Sequence, residues 1–246
     1  ICNDAAFALM HAHCGALREQ VLRASVAAFG HRLMMDCVVP GGVAADIQPG
    51  GNEVILRAVG SLASALPDLR QLINGGGFAD RLAGLGAVSR ADAVALAAGG
   101  VAGRAAGRVF DARRFPPVDG APGPAAATET GGDACARNRV RLAEIADSLH
   151  LVSAALESLP DKATAGGALT VALPQTSGEG IGYAESARGD VWHWLRLDHG
   201  QIAAAFPRDP GWALWPLAER AVAGGAVEDV ALIRASFGLP ASGMDL

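Results

Sequence analysis

The spacing of apolar residues predicts helices over most of the chain, and the clearest one lies between Asp133 and Pro160. In this stretch apolar side chains recur every three to five positions, which is typical of an amphipathic helix. They are Val140, Ile145, Leu149, Val152, Leu156 and Leu159. Proline has no backbone N–H and clashes with the preceding turn, so Pro160 is expected to end the helix.

Other helices are predicted in the first half of the chain. Helical spacing runs through residues 1–19, and a second helical run follows over residues 20–29. Asn52 is expected to cap the next helix, because its side chain can accept a hydrogen bond from a free N–H of the first turn. Ser89 and Asp92 have the spacing of a capping box, which predicts a further helix start.

The apolar pattern changes to a period of two in the last third of the chain. Residues 169–173 and 191–197 alternate in the way that is typical of strands. His199-Gly200 predicts a tight hairpin turn after the second strand, because both residue types tolerate a positive φ. Two closing helices are predicted around residues 216–223 and 227–237.

These elements predict an α+β fold that is predominantly α. A helical bundle core is combined with a small antiparallel β-sheet near the C-terminal third. The predicted units are residues 1–165, mainly helical, and residues 166–246, a small β-hairpin region with two closing helices that packs on the same core. Residues 116–132 are rich in proline, glycine and alanine without periodicity and are expected to form a loop.

Composition narrows the function classes. The 246 residues are 51% hydrophobic and 18% charged, which supports a sizeable core and excludes disorder throughout. The net charge of -5 is not arranged in runs, so no nucleic-acid partner is expected. No apolar stretch approaches the roughly 18 residues of a membrane-spanning helix. The chain begins at Ile1 without a methionine, so it is expected to be processed or part of something longer.

The histidines and cysteines near the start form a candidate metal site. His11, His13 and Cys14 lie within four residues, but a helix would point the two histidines in nearly opposite directions. A helix surface with buried small thiols is the alternative, and the sequence favours it. Cys2 could meet Cys14 in space. Since no cysteine pair has CxxC spacing, reduced thiols are expected.

A cluster of arginines follows the middle of the chain. Residues 103–108 match a dinucleotide-binding GxGxxG motif too loosely to carry that function. The charged residues of this region are instead expected to form a solvated or ion-paired helix surface. They are Arg104, Arg108, Arg113 and Arg114, with Asp111 and Glu144 as counter-charges.

Glu185 and Arg188 form the most specific polar pattern in the chain. They lie three residues apart in the glycine-rich segment 178–190, next to a predicted strand. A rigid backbone could aim the planar Arg188 guanidinium at a ligand, with Glu185 as its charged partner. A plain salt-bridged hairpin remains the alternative interpretation.

Five segments match, in the correct order, the motifs of one superfamily. Residues 1–7, 38–43, 103–114, 133–141 and 185–189 resemble its first metal-site motif, its PGGV turn, its LRxxG...DxR segment, its GDxxxRxxxR helix start and its ExxRG motif. The chain therefore resembles nickel-iron hydrogenase large subunits and the hydrogenase-like subunit of NADH-quinone oxidoreductase, or complex I. It resembles most the energy-converting formate hydrogenlyase type.

The metal ligands of this superfamily are largely replaced. Its hydrogenases hold nickel and iron through two CxxC pairs, since four thiolates are needed. Here the corresponding positions are Cys2, Ala5, Ala241 and Met244, and only one of them carries a thiol. The resemblance therefore implies a vestigial pocket that holds no nickel-iron centre, with Arg188 and Glu185 as its retained catalytic positions.

The resemblance also implies a setting. The chain is expected to be the hydrogenase-like subunit of a redox complex that supports electron transfer and binds no cofactor itself. An iron-sulfur small subunit would hold a cluster beside it, and membrane-arm subunits would keep it at the inner face of the cytoplasmic membrane. In complex I relatives the pocket accommodates quinone, but Val39 replaces an arginine common before the PGGV turn. The alternative is a non-catalytic structural or assembly subunit that retains the fold.

Overall fold

A computed structural model describes residues 1–115, 123–159, 168–173 and 175–239. Its helices are α1 Ala8–Phe29, α2 Gly51–Asn74, α3 Gly76–Leu82, α4 Arg90–Ala95, α5 Gly100–Ala105, α6 Ala134–Ser158, α7 Gly211–Val222 and α8 Val230–Phe237. Its strands are β1 Val38–Val39, β2 Gly42–Val43, β3 Gly178–Ser186, β4 Gly189–Asp198 and β5 Gln201–Arg208. The predicted fold class is confirmed: the chain is α+β and mostly helical, with a small antiparallel sheet in its C-terminal part.

Side-chain caps fix two of the predicted helix starts. The Asp133 carboxylate accepts a hydrogen bond from the Ala136 N–H at the start of α6. The Ser89 hydroxyl accepts one from the Asp92 N–H at the start of α4, so the predicted capping box is confirmed in this half. Each cap satisfies an N–H that has no partner within the helix.

Two helix predictions need correction. The two runs predicted before residue 30 form one helix, α1, which passes through Cys14 and Gly15 without a break because no glycine or proline pair interrupts it. Asn52 does not cap α2. It lies inside the first turn, where its Oδ1 is buried without a hydrogen-bond partner among the described residues, and Gly50 occupies the cap position with a φ of 77°.

Residues 169–173 do not form the predicted strand. They approach the β1–β2 turn, where Thr170 makes an isolated antiparallel bridge with Gly42, and the Val171 N–H donates to the Gly41 carbonyl. A Cβ on Gly42 would lie 3.0 Å from the Thr170 Cα, so this close approach requires glycine. A two-residue β-hairpin is too short to extend the pairing further.

The main sheet has the order β3-β4-β5 and is antiparallel throughout. His199 and Gly200 join β4 to β5 with φ angles of 47° and 77°, which confirms the predicted hairpin turn. A register shift between Arg196 and Leu197 bends the β4–β5 pair.

Two large apolar clusters, and a smaller one of Val101, Ala105, Ala136 and Val140 between α5 and α6, form the core of the described residues. The first joins α1, α2, α3, α6 and α8 around Met10, Leu69, Leu82, Leu142 and Leu232. The second joins α4, α5, α7 and α8 and is built largely from alanines, which allow close helix approach, together with leucines of α7 and Phe237. Because α8 contributes to both clusters, it holds the two halves of the helical body together.

The sheet meets the helical body where the β3–β4 turn reaches the start of α5. Gly100 has a φ of +59°, and a Cβ at this position would lie 2.6 Å from the Gly189 backbone nitrogen. Beside this contact, the buried Asp190 accepts hydrogen bonds from Arg208 Nη1 at 2.9 Å and Trp192 Nε1 at 2.6 Å. This junction brings the end of β3 next to α5 and α6.

In the part of the chain that the structure describes, no helix is long and apolar enough to cross a membrane.

Candidate functional site

Arg104 is the centre of a buried charge cluster between α5, α6 and β3. Its side chain is 2% exposed. Its Nε donates to Glu144 Oε1 at 2.7 Å, and its Nη1 donates to Glu185 Oε1 at 3.0 Å and to the Phe110 carbonyl at 2.9 Å. Glu144 is the counter-charge expected from the sequence. The predicted ion pairing is found for Arg104, but its predicted position on a helix surface is wrong, because packing against β3 removes this arginine from water.

Glu185 faces the helical body. Its Oε1 accepts from Arg104, and its Oε2 accepts from the Ala112 N–H at 3.1 Å. Burial raises the pKa of this carboxyl, and this effect outweighs the hydrogen bonds from Ala112 and Arg104 that lower it. Glu185 therefore joins the sheet to α5 and to the segment that follows α5.

Asp111 and Arg113 complete the cluster. The Asp111 side chain is 0% exposed and accepts from Arg113 Nε at 3.0 Å, Arg113 Nη2 at 2.6 Å and the Arg113 N–H at 3.0 Å. Burial alone would raise the pKa of Asp111. The hydrogen bonds from Arg113 and the positive charges of Arg113 and Arg104 together lower this pKa below its usual value.

A cavity of about 380 Å³ opens beside this cluster. Its walls come from α5, the 3-10 turn around Arg113, one face of α6 and the end of β3. The lining residues are Val101, Arg104, Arg113, Arg141, Glu144, Ile145, Ser148, Glu185, Ser186 and Ala187. The cavity thus contains one of the two site residues expected from the sequence, Glu185.

Arg188 points elsewhere. It is exposed, and its Nε donates to the Gly238 carbonyl, just after α8, at 2.6 Å. Its N–H donates to Ser186 Oγ at 3.2 Å. Arg188 makes these contacts and not the predicted ion pair with Glu185. The β3–β4 turn separates the two residues, because Glu185 faces α5 whereas Arg188 faces the end of α8. Arg188 therefore lies close to the C-terminal segment.

The expected metal positions are described only in part. Cys2 and Cys14 pack against the same apolar cluster, and each influences the pKa of the other, so these two residues do meet. Burial raises the pKa of both thiols, which disfavours the thiolate that a metal needs. Ala5 offers no donor. Ala241 and Met244 lie outside the described residues, so their position as vestigial ligands remains a prediction.

Of the ligand positions expected from the resemblance, the structure describes Cys2 and Ala5. A nickel-iron centre requires four thiolates, and Cys2 carries a thiol whereas Ala5 carries none. His11 and His13 are exposed on α1. Within the described ranges, no group of three histidine, cysteine or acidic side chains could hold a metal ion.

Arg137 and Arg141 of α6 belong to the GDxxxRxxxR motif, but the sequence did not indicate a role for either side chain. Arg137 is fully buried, and it donates to the carbonyls of Gly86 at 3.1 Å and Gly132 at 2.7 Å and to the Ser236 hydroxyl at 2.9 Å. Burial, together with the charge of Arg141, lowers the pKa of Arg137 to about 9. Arg137 and Arg141 lie four residues apart, and this spacing alone predicts that they share one face of the helix.

Comparison with known proteins identifies the family. Residues 5–177 match the family described as "Respiratory-chain NADH dehydrogenase, 49 Kd subunit". This match covers more than half of the chain, and the chain belongs to this family. The resemblance to the superfamily of complex I and hydrogenase large subunits is thereby confirmed.

The names of individual relatives agree with this family. An NADH-quinone oxidoreductase subunit of Thermosipho melanesiensis is 30% identical over 196 residues, which are 75% of this chain and 52% of the relative. The carbon monoxide-induced hydrogenase of Rhodospirillum rubrum is 27% identical over 230 residues, 90% of this chain and 62% of the relative. An NADH-quinone oxidoreductase subunit of Phocaeicola vulgatus is 32% identical over 147 residues, 58% of this chain and 28% of the relative. The chain thus spans between about a quarter and three fifths of these relatives.

Proposed function

We propose that the chain is the 49 Kd-type subunit of a multi-subunit redox complex of the NADH-quinone oxidoreductase or hydrogenase-like class. It supports electron transfer without nickel of its own. The family match over residues 5–177 carries this proposal. The matching names of the relatives, which include an NADH-quinone oxidoreductase subunit and a hydrogenase, support the class of complex.

In this proposal the electron carrier next to the chain belongs to a partner. An iron-sulfur small subunit would pack against this chain and hold the cluster, and membrane-arm subunits would keep the assembly at the inner face of the cytoplasmic membrane. Without a nickel-iron centre of its own, this chain would contribute protein structure and charge. Arg188, beside Gly238, is the position that we assign to a retained pocket, whereas Glu185 lies in the separate cavity next to Arg104.

An exposed apolar row on the sheet is a candidate contact for such a partner. Ile181, Trp194 and Phe206 are directly paired across β3, β4 and β5, so their side chains share one face. Ile181 is 69% exposed and Phe206 is 55% exposed. Neighbouring exposed apolar side chains are typical of surfaces that another protein covers.

The proposal is tested in the host organism. The gene is deleted and then replaced by a tagged copy, and the tagged complex is isolated from solubilised membranes. The expected complex contains an iron-sulfur protein, with iron but without stoichiometric nickel. Electron transfer from NADH to a quinone, or hydrogen uptake, should be lost on deletion and restored by the tagged copy. A fully active complex without this chain, or one nickel per chain, would contradict the proposal.

A variant separates the redox role from a purely structural one. Arg188→Gln should leave the amount of assembled complex unchanged and lower its turnover, because it removes only a guanidinium. The exposed Arg23→Gln on α1 is the matched control, which should change neither quantity. If Arg188→Gln has normal turnover while deletion prevents assembly, the chain is a structural or assembly subunit and the proposed pocket is wrong.

A further inference from the structure

The cavity beside the charge cluster contains a partly buried cation, one nitrogen of which is a buried donor without a partner among the described residues. Arg141 lines this cavity from α6, and its Nη1 is buried without a hydrogen-bond partner among the described residues. A buried guanidinium nitrogen without a hydrogen-bond partner is unfavourable. Burial also lowers the pKa of Arg141 to about 10, which is the direction expected for a cation removed from water.

The acids of the cavity are already engaged. Glu144 and Glu185 both bind Arg104, with distances of 2.6 Å and 3.0 Å. Asp111, just behind the lining, binds Arg113 at 2.6 Å. Each carboxylate therefore has an arginine of its own cluster in contact, and Arg141 remains as the cation that an external anion can approach.

The remaining lining defines the class of anion. Val101, Ile145 and Ala187 add apolar surface, and Ser148 adds a hydroxyl at the exposed side of α6. A volume of about 380 Å³ is at the lower end of the range for small-molecule pockets. An inorganic ion would leave the apolar wall unused, whereas a short-chain carboxylate would contact both the wall and the guanidinium.

We propose that this cavity binds a small organic carboxylate, with Arg141 as the anion-binding group and Val101, Ile145 and Ala187 as the apolar wall. The inference goes beyond the proposed function, because it concerns a site on this chain alone and involves no electron transfer. It depends neither on Arg188 nor on a partner subunit. Its test can therefore fail while the proposed function stands.

Butyrate serves as the probe, and its neutral analogue butyramide serves as the matched control compound. Titration calorimetry and the thermal unfolding midpoint of the purified chain are measured at constant ionic strength. Butyrate should bind and raise the midpoint, since a ligand that binds only the folded state stabilises it. Butyramide should do neither. Binding of inorganic phosphate without binding of butyrate would overturn the carboxylate assignment, and so would equal binding of butyramide.

Three variants locate the site. Arg141→Gln should weaken butyrate binding by about tenfold or more, because it removes the charge. Arg139→Gln, an exposed arginine on the same helix, should bind butyrate as the wild type does. Ile145→Trp fills the cavity without altering any charge, and it should also abolish binding.

The unfolding of each variant without ligand is measured first. Arg141→Gln should fold, because it removes a partly buried charge whose Nη1 has no partner to lose among the described residues. If it does not fold, the result for Ile145→Trp decides. Unchanged butyrate binding by Ile145→Trp would overturn the proposal, as would equal losses in the Arg141 and Arg139 variants.

Discussion

At the residue scale, Arg104 shows how a surface residue type becomes a core residue. Its guanidinium is surrounded by Glu144, Glu185 and the Phe110 carbonyl, so protein oxygens replace the water that it loses. The sequence predicted Glu144 as a counter-charge. It could not predict Glu185 or the burial, because the docking of β3 on α5 depends on backbone contacts that apolar periodicity does not encode.

Replacing Arg104 by methionine should be strongly destabilising. Arg104→Met leaves the buried Glu185 and the partly exposed Glu144 without their cation and should lower the free energy of unfolding by about 3–5 kcal/mol. Urea denaturation followed by circular dichroism measures the change. Arg23→Met removes an exposed arginine paired with Glu19 and should change it by less than about 1 kcal/mol. A loss for Arg104→Met as small as that of the control would show that the cluster does not stabilise the fold.

Asp111 should make the stability depend on acid pH. Its pKa in the folded protein is below the usual value of 3.8, so the unfolded chain takes up the proton first as the pH falls. Its stabilising contribution is therefore present above about pH 4 and is lost as the pH falls through the folded pKa. The difference in unfolding free energy between wild type and Asp111→Asn should shrink from pH 6 to pH 3. A difference that is constant or grows in acid would contradict this sign.

At the element scale, the sequence correctly predicted those features that depend on hydrogen bonds between neighbouring residues. The caps of α4 and α6 and the His199-Gly200 turn depend on neighbouring residues and were predicted correctly. The position of residues 169–173 depends on the distant β1–β2 turn, so their alternating pattern was misleading. Asn52 was placed at a cap because its residue type fits, although the adjacent Gly50 supplies the left-handed turn.

The junction between α5 and the β3–β4 turn should not tolerate a side chain. Gly100→Ala would place a Cβ 2.6 Å from the Gly189 nitrogen and should lower the free energy of unfolding by more than about 2 kcal/mol, which combines steric overlap with left-handed strain. Gly76→Ala has similar strain, with a φ of +54°, but no described atom within 4 Å, and should be milder. Hydrogen exchange should show faster opening of β3 and β4 only in Gly100→Ala. Equal effects of the two variants would mean that strain alone matters.

At the scale of the whole molecule, the exposed row on the sheet should affect assembly more than folding. Ile181→Lys should lower the amount of partner recovered with the tagged chain, because it puts a charge into a contact expected to be apolar. Its unfolding midpoint should stay near that of the wild type. Val227→Lys is the control, since Val227 is 85% exposed and lies just before α8. Equal recovery of the partner with both variants would place the interface elsewhere.

Family membership was the property of the whole molecule that the sequence predicted best. Five short motifs kept their order, and order survives even where single residues change. The site was predicted only in part: Glu185 lines the cavity, whereas Arg188 contacts Gly238. Arg141 was missed, because an unsatisfied guanidinium can be recognised only once its surroundings are known.

The bonds of Arg137 have a consequence for how the chain folds during synthesis. Ser236, which binds its Nε, lies 99 residues further along the chain. At a translation rate of about 5–20 residues per second, this partner leaves the ribosome roughly 5–20 seconds after Arg137. Until then the nascent helices must keep this guanidinium hydrated, and the packing that depends on α8 must wait. α8 therefore completes the packing around Arg137, and a nascent chain that stalls before α8 exposes this unfinished part of the core to chaperones and proteases.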